Sequence, residues 1–251
     1  HDVVVFEQAP NYSRIGADVN LTPNAVHALD RLGVGQKLRD TAAQPTHRIS
    51  RMWDTGEETS RLEMADSAEK KYGAPQLTIH RADLLKVLKN KLPDPVVILN
   101  KRAEGIVNSE DGVVVCFSDG TKRGVDALIG ADGIHSVVRT ALFGREKPVF
   151  TGLVSYRSVV QRNTLSVSNL DAFTKWWGPT SERQIVTFPL NRNKETFVFA
   201  TTPQEDWRRE SWTIPGEVRE LRKAYLDFHP EARALLDGCS EVTKSALYIR
   251  E

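Results

Sequence analysis

Two kinds of hydrophobic pattern follow one another along the first 148 residues of the chain. Residues 3–7 form a short β-branched run, which predicts a buried strand. Thr22-Pro23 then predicts the start of a helix, with Thr22 as cap and Pro23 in the first helical position. Residues 80–92 predict a second helix, because their leucines recur on one face and prolines follow. Strands that alternate with amphipathic helices indicate an α/β domain.

Further short strands are predicted around and beyond the second helix. They lie at residues 47–62 (a hairpin with its turn at 54–56), 96–99, 104–108, 113–117 and 126–130. The last of these runs through Asp132-Gly133 into a third helix.

The pattern changes after Pro148. Residues 150–203 are mostly strand-like and rich in aromatic side chains, and two helices follow at about 216–228 and 230–236. We therefore predict two domains. The α/β domain takes residues 1–46 and 80–148, the β-rich domain takes 47–79 and 149–239, and residues 240–251 begin a return to the first domain.

Composition and charge exclude several classes of function. The chain has 34 Lys+Arg and 33 Asp+Glu, and its net charge of +1 gives no electrostatic reason to expect nucleic acid or an acidic membrane. No apolar run approaches the ~18 residues that a membrane helix needs. Cys116 and Cys239 form no CxxC pair, which favours a reducing, cytoplasmic location, and the six histidines show no metal-ligand spacing.

Two motifs lie where predicted strands end. Glu7 ends the first strand, where an acidic residue of a dinucleotide-binding unit accepts hydrogen bonds from ribose hydroxyls. Alone this signal is weak, since many strands end in a surface acid. The second motif is Gly130-Ala131-Asp132-Gly133, with Ser136 and Arg139 following. Its Asp132 either caps the next helix, which local physics favours, or points with the helix amides at polyol or phosphate oxygens.

The second motif closely resembles the second FAD motif of the flavoprotein aromatic monooxygenases. The other segments follow in the order of that family: residues 3–10 resemble its second strand, Arg14-Ile15-Gly16-Ala17 its flavin loop, and Ile79-His80-Arg81 its FAD-contacting helix start. Lys175-Trp176-Trp177 and Phe228-His229-Pro230 bring the chain closest to the salicylate hydroxylase and 6-hydroxynicotinate 3-monooxygenase branch. The resemblance covers essentially the whole chain.

The resemblance implies a fold and a set of FAD ligands. The fold is a Rossmann-like α/β FAD-binding domain, incomplete at both ends, with a β-rich substrate domain as in p-hydroxybenzoate hydroxylase-like flavoproteins. Glu7 would hold the adenosine ribose, and Arg81 the phosphates or the ring edge. The remaining implied ligands surround the ribityl–pyrophosphate region and the isoalloxazine: Arg14, Gly16, Ala17, Asp132, Gly133 and Arg139. Arg139 either braces its motif or pairs with a nearby acid such as Asp132.

The family also implies a reaction. NADH or NADPH reduces FAD, the reduced flavin and O2 give a flavin hydroperoxide, and its terminal hydroxyl is transferred to an electron-rich ring. The implied partners are a small aromatic substrate and O2. Whether the protein forms a homodimer is left open, as are the ring substrate and the choice of NADH or NADPH.

Substrate residues are expected between the flavin loop and the β-rich part. The candidates are Asn20, Tyr156, Arg157, Gln184 and Phe188. The 6-hydroxynicotinate branch would have histidines near the positions of Asn20 and Gln184 and a tyrosine near that of Phe188. The obvious general bases are therefore absent from this chain. This favours a different aromatic acid or phenol. The tryptophan pair is expected in packing, and His229 at a helix junction.

Two alternatives to a monooxygenase remain at this stage. One is a related flavoprotein, such as an epoxidase or an oxidase. The other is a non-catalytic fragment or degenerate paralogue, since the first glycine motif and the late Gly-Asp motif of the family are absent from the chain. Because the chain opens at His1 inside a predicted strand, we expect an internal piece of a longer flavoprotein, which alone binds FAD poorly and is inactive.

Overall fold

The computed structural model describes residues 2–12, 18–93, 95–211 and 213–250. Fifteen strands lie in these ranges: β1 (Val5–Phe6), β2 (Asp18–Leu21), β3 (His47–Met52), β4 (Glu58–Glu63), β5 (Leu77–His80), β6 (Val97–Ile98), β7 (Ala103–Ser109), β8 (Gly112–Phe117), β9 (Lys122–Val125), β10 (Val149–Gln161), β11 (Phe173–Trp177), β12 (Gln184–Leu190), β13 (Glu195–Pro203), β14 (Pro215–Gly216) and β15 (Val242–Ile249). The α-helices are α1 (Pro23–Arg31), α2 (Gly35–Arg39), α3 (Ala65–Tyr72), α4 (Arg81–Lys89), α5 (Val137–Phe143), α6 (Val218–Ala224) and α7 (Pro230–Asp237). No helix in the described ranges is both long and apolar enough to cross a membrane.

The chain divides into two compact units. The first unit is His1–Ser13, Lys89–Thr151 and Tyr248–Glu251, and the second unit is Arg14–Leu88 and Gly152–Leu247. The second unit therefore contains residues 14–46 and 80–88 of the predicted FAD-binding domain together with most of the β-rich part. Because compactness and ligand binding are different criteria, the division into an FAD-binding and a substrate domain stays a prediction.

The first unit contains two small sheets. β1 and β6 pair in parallel, with Val5 opposite Val97. β7, β8 and β9 form an antiparallel sheet, against which α5 packs. The rings of Phe6 and Phe117 lie 4.7 Å apart and join the two sheets. The parallel pair is the arrangement that the α/β pattern predicts for a strand ending in Glu7.

One predicted element of this unit is wrong. Residues 126–130 do not form a strand: β9 ends at Val125, and the segment from there to α5 has neither helix nor strand. A strand forms only where neighbouring backbone groups pair with it, and no described segment pairs with these residues. The side chain of Ile129 is accordingly 91% exposed.

The second unit is built on an eight-stranded sheet with the order β14-β15-β10-β13-β12-β11-β3-β4. The pairs β10–β13, β13–β12, β12–β11, β3–β4 and β14–β15 are antiparallel, whereas β11 and β3 pair in parallel. β3 and β4 confirm the predicted hairpin, whose turn contains Gly56 at φ +72°. The strands between 149 and 203 confirm the predicted β-rich region.

Helices α6 and α7 cover one face of this sheet. Because successive side chains of a strand point to opposite faces, Trp176, Ile185 and Ala200 all lie on the covered face. They pack there with Tyr225 and Leu235 in one buried cluster. Each of these side chains is at most 4% exposed.

A second core of this unit lies between the two-stranded ribbon of β2 and β5 and the helices α1 and α2. Asp18 pairs with His80 and Leu21 with Leu77, so the apolar members alternate with polar ones. The apolar side chains pack with Val26 and Leu38 of α1 and α2. His80 therefore ends β5, and the second predicted helix begins one residue later, at Arg81, and ends at Lys89.

Candidate active site

Glu7 lies at the carboxyl end of a parallel strand. Its backbone N–H donates to the carbonyl of Ile98 (2.9 Å), and its own carbonyl accepts from the N–H of Lys101 (2.9 Å). Its carboxylate oxygen Oε1 accepts from the N–H of Ala9 at 2.8 Å. This is the position that a ribose-binding acid takes in a dinucleotide site. The role of Glu7 towards FAD stays a prediction.

The carboxylate of Asp132 caps the first N–H groups of helix α5 from outside the helix, while Ser136 is the N-cap residue itself. Its Oδ1 accepts from the hydroxyl of Ser136, and its Oδ2 accepts from the N–H groups of Val137 (2.7 Å) and Val138 (3.2 Å). Burial alone would raise the pKa of Asp132, but these hydrogen bonds outweigh it and hold the pKa below its ordinary value. Of the two interpretations of the motif, the cap describes what the side chain does.

Gly133 gives the same turn an open backbone. Its φ is +79°, and no atom lies within 4 Å of the position that a Cβ would occupy. Only glycine adopts this backbone conformation readily, and its lack of a side chain lets a ligand come close to the peptide groups. The turn that Asp132 holds therefore fits a polyol or pyrophosphate chain at its backbone.

Arg139 braces the motif and pairs with an acid, but that acid is not Asp132. Its N–H donates to Ser136 Oγ at 2.9 Å, and its guanidinium contacts Glu146 Oε2 at 2.6 Å. Arg250 contacts the same Glu146, through the carbonyl oxygen at 2.9 Å. The guanidinium of Arg139 thus ties the end of the motif to the loop that contains Glu146. A contact between Arg139 and FAD stays a prediction.

Of the other implied flavin ligands, the structure describes Arg81, which lies in the second unit. Arg14, Gly16 and Ala17 lie outside the described residues. Arg81 is the first residue of α4 and is exposed. An exposed guanidinium at a helix start is available to a phosphate, and the predicted role of Arg81 is untested.

Three of the five substrate candidates lie on the face of the eight-stranded sheet opposite α6 and α7, which we call the aromatic face. Arg157 pairs with Phe199, Phe199 with Val186, and Val186 with Lys175, so these four side chains form one row across β10, β13, β12 and β11. Gln184 and Phe188 flank Val186 on β12 and share its face. The ring of Phe188 stacks on Phe173 at 5.3 Å.

Tyr156 does not lie with them. It precedes Arg157 on β10, so its side chain points to the opposite face, where it is 1% exposed. Its ring packs 5.4 Å from the ammonium of Lys244, which donates to both carboxylate oxygens of Glu220 (2.9 and 2.8 Å). Burial raises the pKa of Tyr156. The structure therefore places Tyr156 in the core and not in a substrate pocket.

The side chain of Asn20 lies on the polar face of the β2–β5 ribbon. Its Oδ1 accepts from Gln76 Nε2 at 2.7 Å. Gln76 is only 2% exposed, so this hydrogen bond satisfies a buried amide. On the same face Thr78 Oγ1 donates to the carbonyl of Pro189 in β12 at 2.6 Å. This hydrogen bond joins the β2–β5 ribbon to the end of β12, the strand that also contributes Gln184, Val186 and Phe188 to the aromatic face.

His80 makes a second link between ribbon and sheet, which the sequence analysis missed. Its Nδ1 lies 2.8 Å from Asp18 Oδ1, and its Nε2 lies 2.8 Å from Glu195 Oε2. Each ring nitrogen of His80 thus faces a carboxylate oxygen, so the imidazole bridges Asp18 of the ribbon and Glu195 of the sheet. The alternation of polar residues in β2 and β5 was the available signal, since it puts Asp18 and His80 on one face.

The aromatic face has two partly buried cations at the ends of one row. Burial lowers the pKa of the Arg157 guanidinium, and burial followed by the charge of Arg48 lowers the pKa of the Lys175 ammonium. Arg157 lies over the ring of Phe199 at 5.6 Å, and Lys175 over the ring of Trp177 at 3.4 Å. Aromatic surface between cations is suited to an aromatic anion.

Comparison with known proteins gives one family match and several relatives. A family model described as an FAD binding domain matches residues 2–241. The chain is 34% identical over its whole length to 6-hydroxynicotinate 3-monooxygenase of Pseudomonas fluorescens, and covers 65% of that protein. It is 32% identical over its whole length to 3-amino-4-hydroxybenzoate 2-monooxygenase of Streptomyces cremeus, and covers 62% of it.

A solved structure agrees at the level of the fold. A salicylate hydroxylase substrate complex superposes with a TM-score of 0.79 at 22% identity, over 98% of this chain and 68% of that one. The family match and the two relatives confirm the predicted resemblance, and the superposition confirms the α/β fold class. The chain spans less than two thirds of the length of the two relatives above.

Proposed function

Because the chain belongs to the FAD binding domain family, we propose that the protein is an FAD-dependent, NAD(P)H-using monooxygenase that hydroxylates a small aromatic acid or phenol. The observation that supports this most is the match of the family model to residues 2–241. The two curated relatives are both named for the hydroxylation of a ring acid. The overall reaction consumes the aromatic substrate, NAD(P)H, a proton and O2, and yields hydroxylated product, NAD(P)+ and water.

The residues of the first unit fit FAD. Glu7 offers a carboxylate at the end of a parallel strand, and Gly133 offers an open backbone at the turn that Asp132 caps. In the proposed holoenzyme, Glu7 binds the adenosine ribose and the Gly133 turn binds the ribityl–pyrophosphate region. Bound FAD supplies the transfer of electrons from NAD(P)H and of one oxygen atom from O2 to the ring.

The second unit supplies the substrate surface. On the aromatic face, Val186 and Phe199 provide apolar contact for a flat ring, and Arg157 and Lys175 provide positive charge at its two sides. Apolar contact excludes water from the ring, and a cation fixes its direction by binding an acid group. Asn20 and Gln184 are the nearby neutral hydrogen-bonding candidates.

The proposal predicts three properties of the complete gene product. It should purify with flavin absorbance, oxidise NAD(P)H faster when a suitable aromatic acid is added, and release hydroxylated product. A protein without flavin would contradict the proposal. Bound flavin without stimulated NAD(P)H oxidation would favour an oxidase. Stimulated NAD(P)H oxidation without hydroxylated product would contradict the proposed transfer of oxygen to that ring.

A further inference from the structure

We propose that Lys175 binds the ionised acid group of the ring substrate and thereby selects anionic aromatic substrates over neutral ones. This inference rests on the proposed function for the identity of the reaction, but its binding component is separable from catalysis. It concerns a residue that the sequence analysis placed only within a shared segment, Lys175-Trp176-Trp177.

Lys175 lies beside the apolar side chains at the centre of the aromatic face. It lies in the middle of β11, on the aromatic face, between Phe173 and Trp177 of the same strand. Its cross-strand neighbour is Val186, which in turn pairs with Phe199. These side chains are all partly exposed, so a ring that lies on Val186 and Phe199 has Lys175 at its edge.

The ammonium group of Lys175 is partly withdrawn from water. Its Nζ lies 3.4 Å from the centre of the Trp177 ring, and the side chain is partly buried. In the part of the chain that the structure describes, no carboxylate lies within ion-pair distance of this nitrogen. A cation that has lost part of its hydration without gaining an anion is unfavourable, and an incoming carboxylate removes that cost.

The other cations of the aromatic face differ from Lys175 in their surroundings. Arg48 is exposed and lies over the ring of Phe173 at 5.2 Å, so it remains hydrated. Arg157, at the far end of the row, already takes part in further interactions. Three strand spacings of ~4.8 Å separate it from Lys175. Lys175 is therefore the cation that a ring-bound carboxylate reaches most directly.

The test compares binding of matched acids and amides by calorimetry. The probes are salicylate with salicylamide and 4-hydroxybenzoate with 4-hydroxybenzamide, titrated into the full-length flavin-loaded protein. The variants are Lys175→Met, which removes the charge, and Lys175→Arg, which keeps it. Lys223→Met removes an exposed lysine on α6, on the opposite side of the sheet, and serves as the control.

We expect Lys175→Met to weaken binding of the acid by about ten-fold or more, as the loss of one charged hydrogen bond does. Binding of the amide should change by less than about three-fold, and Lys175→Arg should retain most of the affinity for the acid. Lys223→Met should match the wild type. KM for the acid should rise in Lys175→Met while kcat changes little.

Several results would overturn the proposal. One is a wild type that binds neither acid more tightly than its amide, and another is equal weakening of acid and amide binding by Lys175→Met. A fall in kcat at constant KM would assign Lys175 to proton transfer instead. If acid binding depends on Lys175 in a protein that catalyses no hydroxylation, the inference stands and the proposed monooxygenase function fails.

Discussion

The two units of the molecule differ sharply in how much of their side-chain surface is buried. In the described part of the first unit, only Val115, Phe117 and Ser136 are buried. The second unit contains three hydrophobic clusters, among them the one that packs Trp176 and Tyr225 between the sheet and its helices. Burial of apolar surface is the main favourable term in folding, so within the described residues most of this term comes from the second unit.

The difference matches the two kinds of binding that we propose. Substrate recognition depends on side chains held at fixed positions, and the second unit holds them on a packed sheet. The cofactor motif of the first unit instead presents backbone groups, as at Gly133.

The largest expected effect is on the core of the second unit. Ile185 is fully buried and Ile129 is 91% exposed. Ile185→Ala should lower the free energy of unfolding by about 2–5 kcal/mol, because it removes buried methylenes and leaves a cavity. Ile129→Ala is the matched control and should change it by less than about 0.5 kcal/mol. Urea unfolding followed by tryptophan fluorescence checks both, and equal effects would remove the contrast between the units.

A smaller loss is expected from the ion pair of Lys244. Its side chain is 3% exposed, while that of its partner Glu220 is 37% exposed. Lys244→Met should lower the free energy of unfolding by about 2 kcal/mol, less than the 3–5 kcal/mol for breaking a fully buried pair, since water reaches Glu220. Adding Glu220→Gln should restore part of the loss. A Lys244→Met protein as stable as the wild type would show that the pair does not stabilise this unit.

The capped turn of the first unit should give a smaller effect on stability. Asp132→Ala removes the acceptor for Val137 and Val138 and should cost about 1 kcal/mol, the usual value of a helix cap. In the full-length protein it should also weaken retention of FAD, measured by flavin absorbance after gel filtration. Asp111→Ala, at an exposed position of the same unit, is the control. Unchanged retention would leave Asp132 as a helix cap alone.

The smallest effect concerns acid stability of the second unit. Burial would raise the pKa of Glu231, but hydrogen bonds from Ser168 and Arg51 outweigh it and lower the pKa. A carboxyl group whose pKa is lowered by folding contributes stability above its unfolded pKa of ~4.3. That contribution is lost as pH falls through the folded pKa. Glu231→Gln should therefore flatten the loss of stability below about pH 4.5, measured by urea unfolding across pH, and an unchanged slope would contradict this.

Much of the second unit could be predicted from local sequence. The hairpin at 47–62 was predictable because its turn needs a glycine at positive φ, which Gly56 provides. Thr22-Pro23 marked the start of α1 correctly, although the Thr22 side chain makes no cap hydrogen bond. His229 lies at a helix junction as expected, where Nδ1 accepts from the N–H of Glu231.

What could not be predicted depended on neighbours distant in sequence. Residues 126–130 have the composition of a strand, but strand formation needs a pairing partner that local sequence does not show. Tyr156 and Arg157 are adjacent and both suited to a pocket, and only the register of the sheet separates their faces. The same alternation divides the tryptophan pair: Trp176 packs in the core as expected, whereas Trp177 is 40% exposed beside Lys175.

Incorporation of oxygen from ¹⁸O2 tests the proposed function most directly. The full-length protein is incubated with NAD(P)H, ¹⁸O2 and the aromatic acid that most stimulates NAD(P)H oxidation. The mass of the product is then measured by mass spectrometry. The account predicts a hydroxylated ring containing one ¹⁸O atom, with one NAD(P)H oxidised per product. A product without ¹⁸O, or NAD(P)H oxidation that yields no hydroxylated ring, would contradict it.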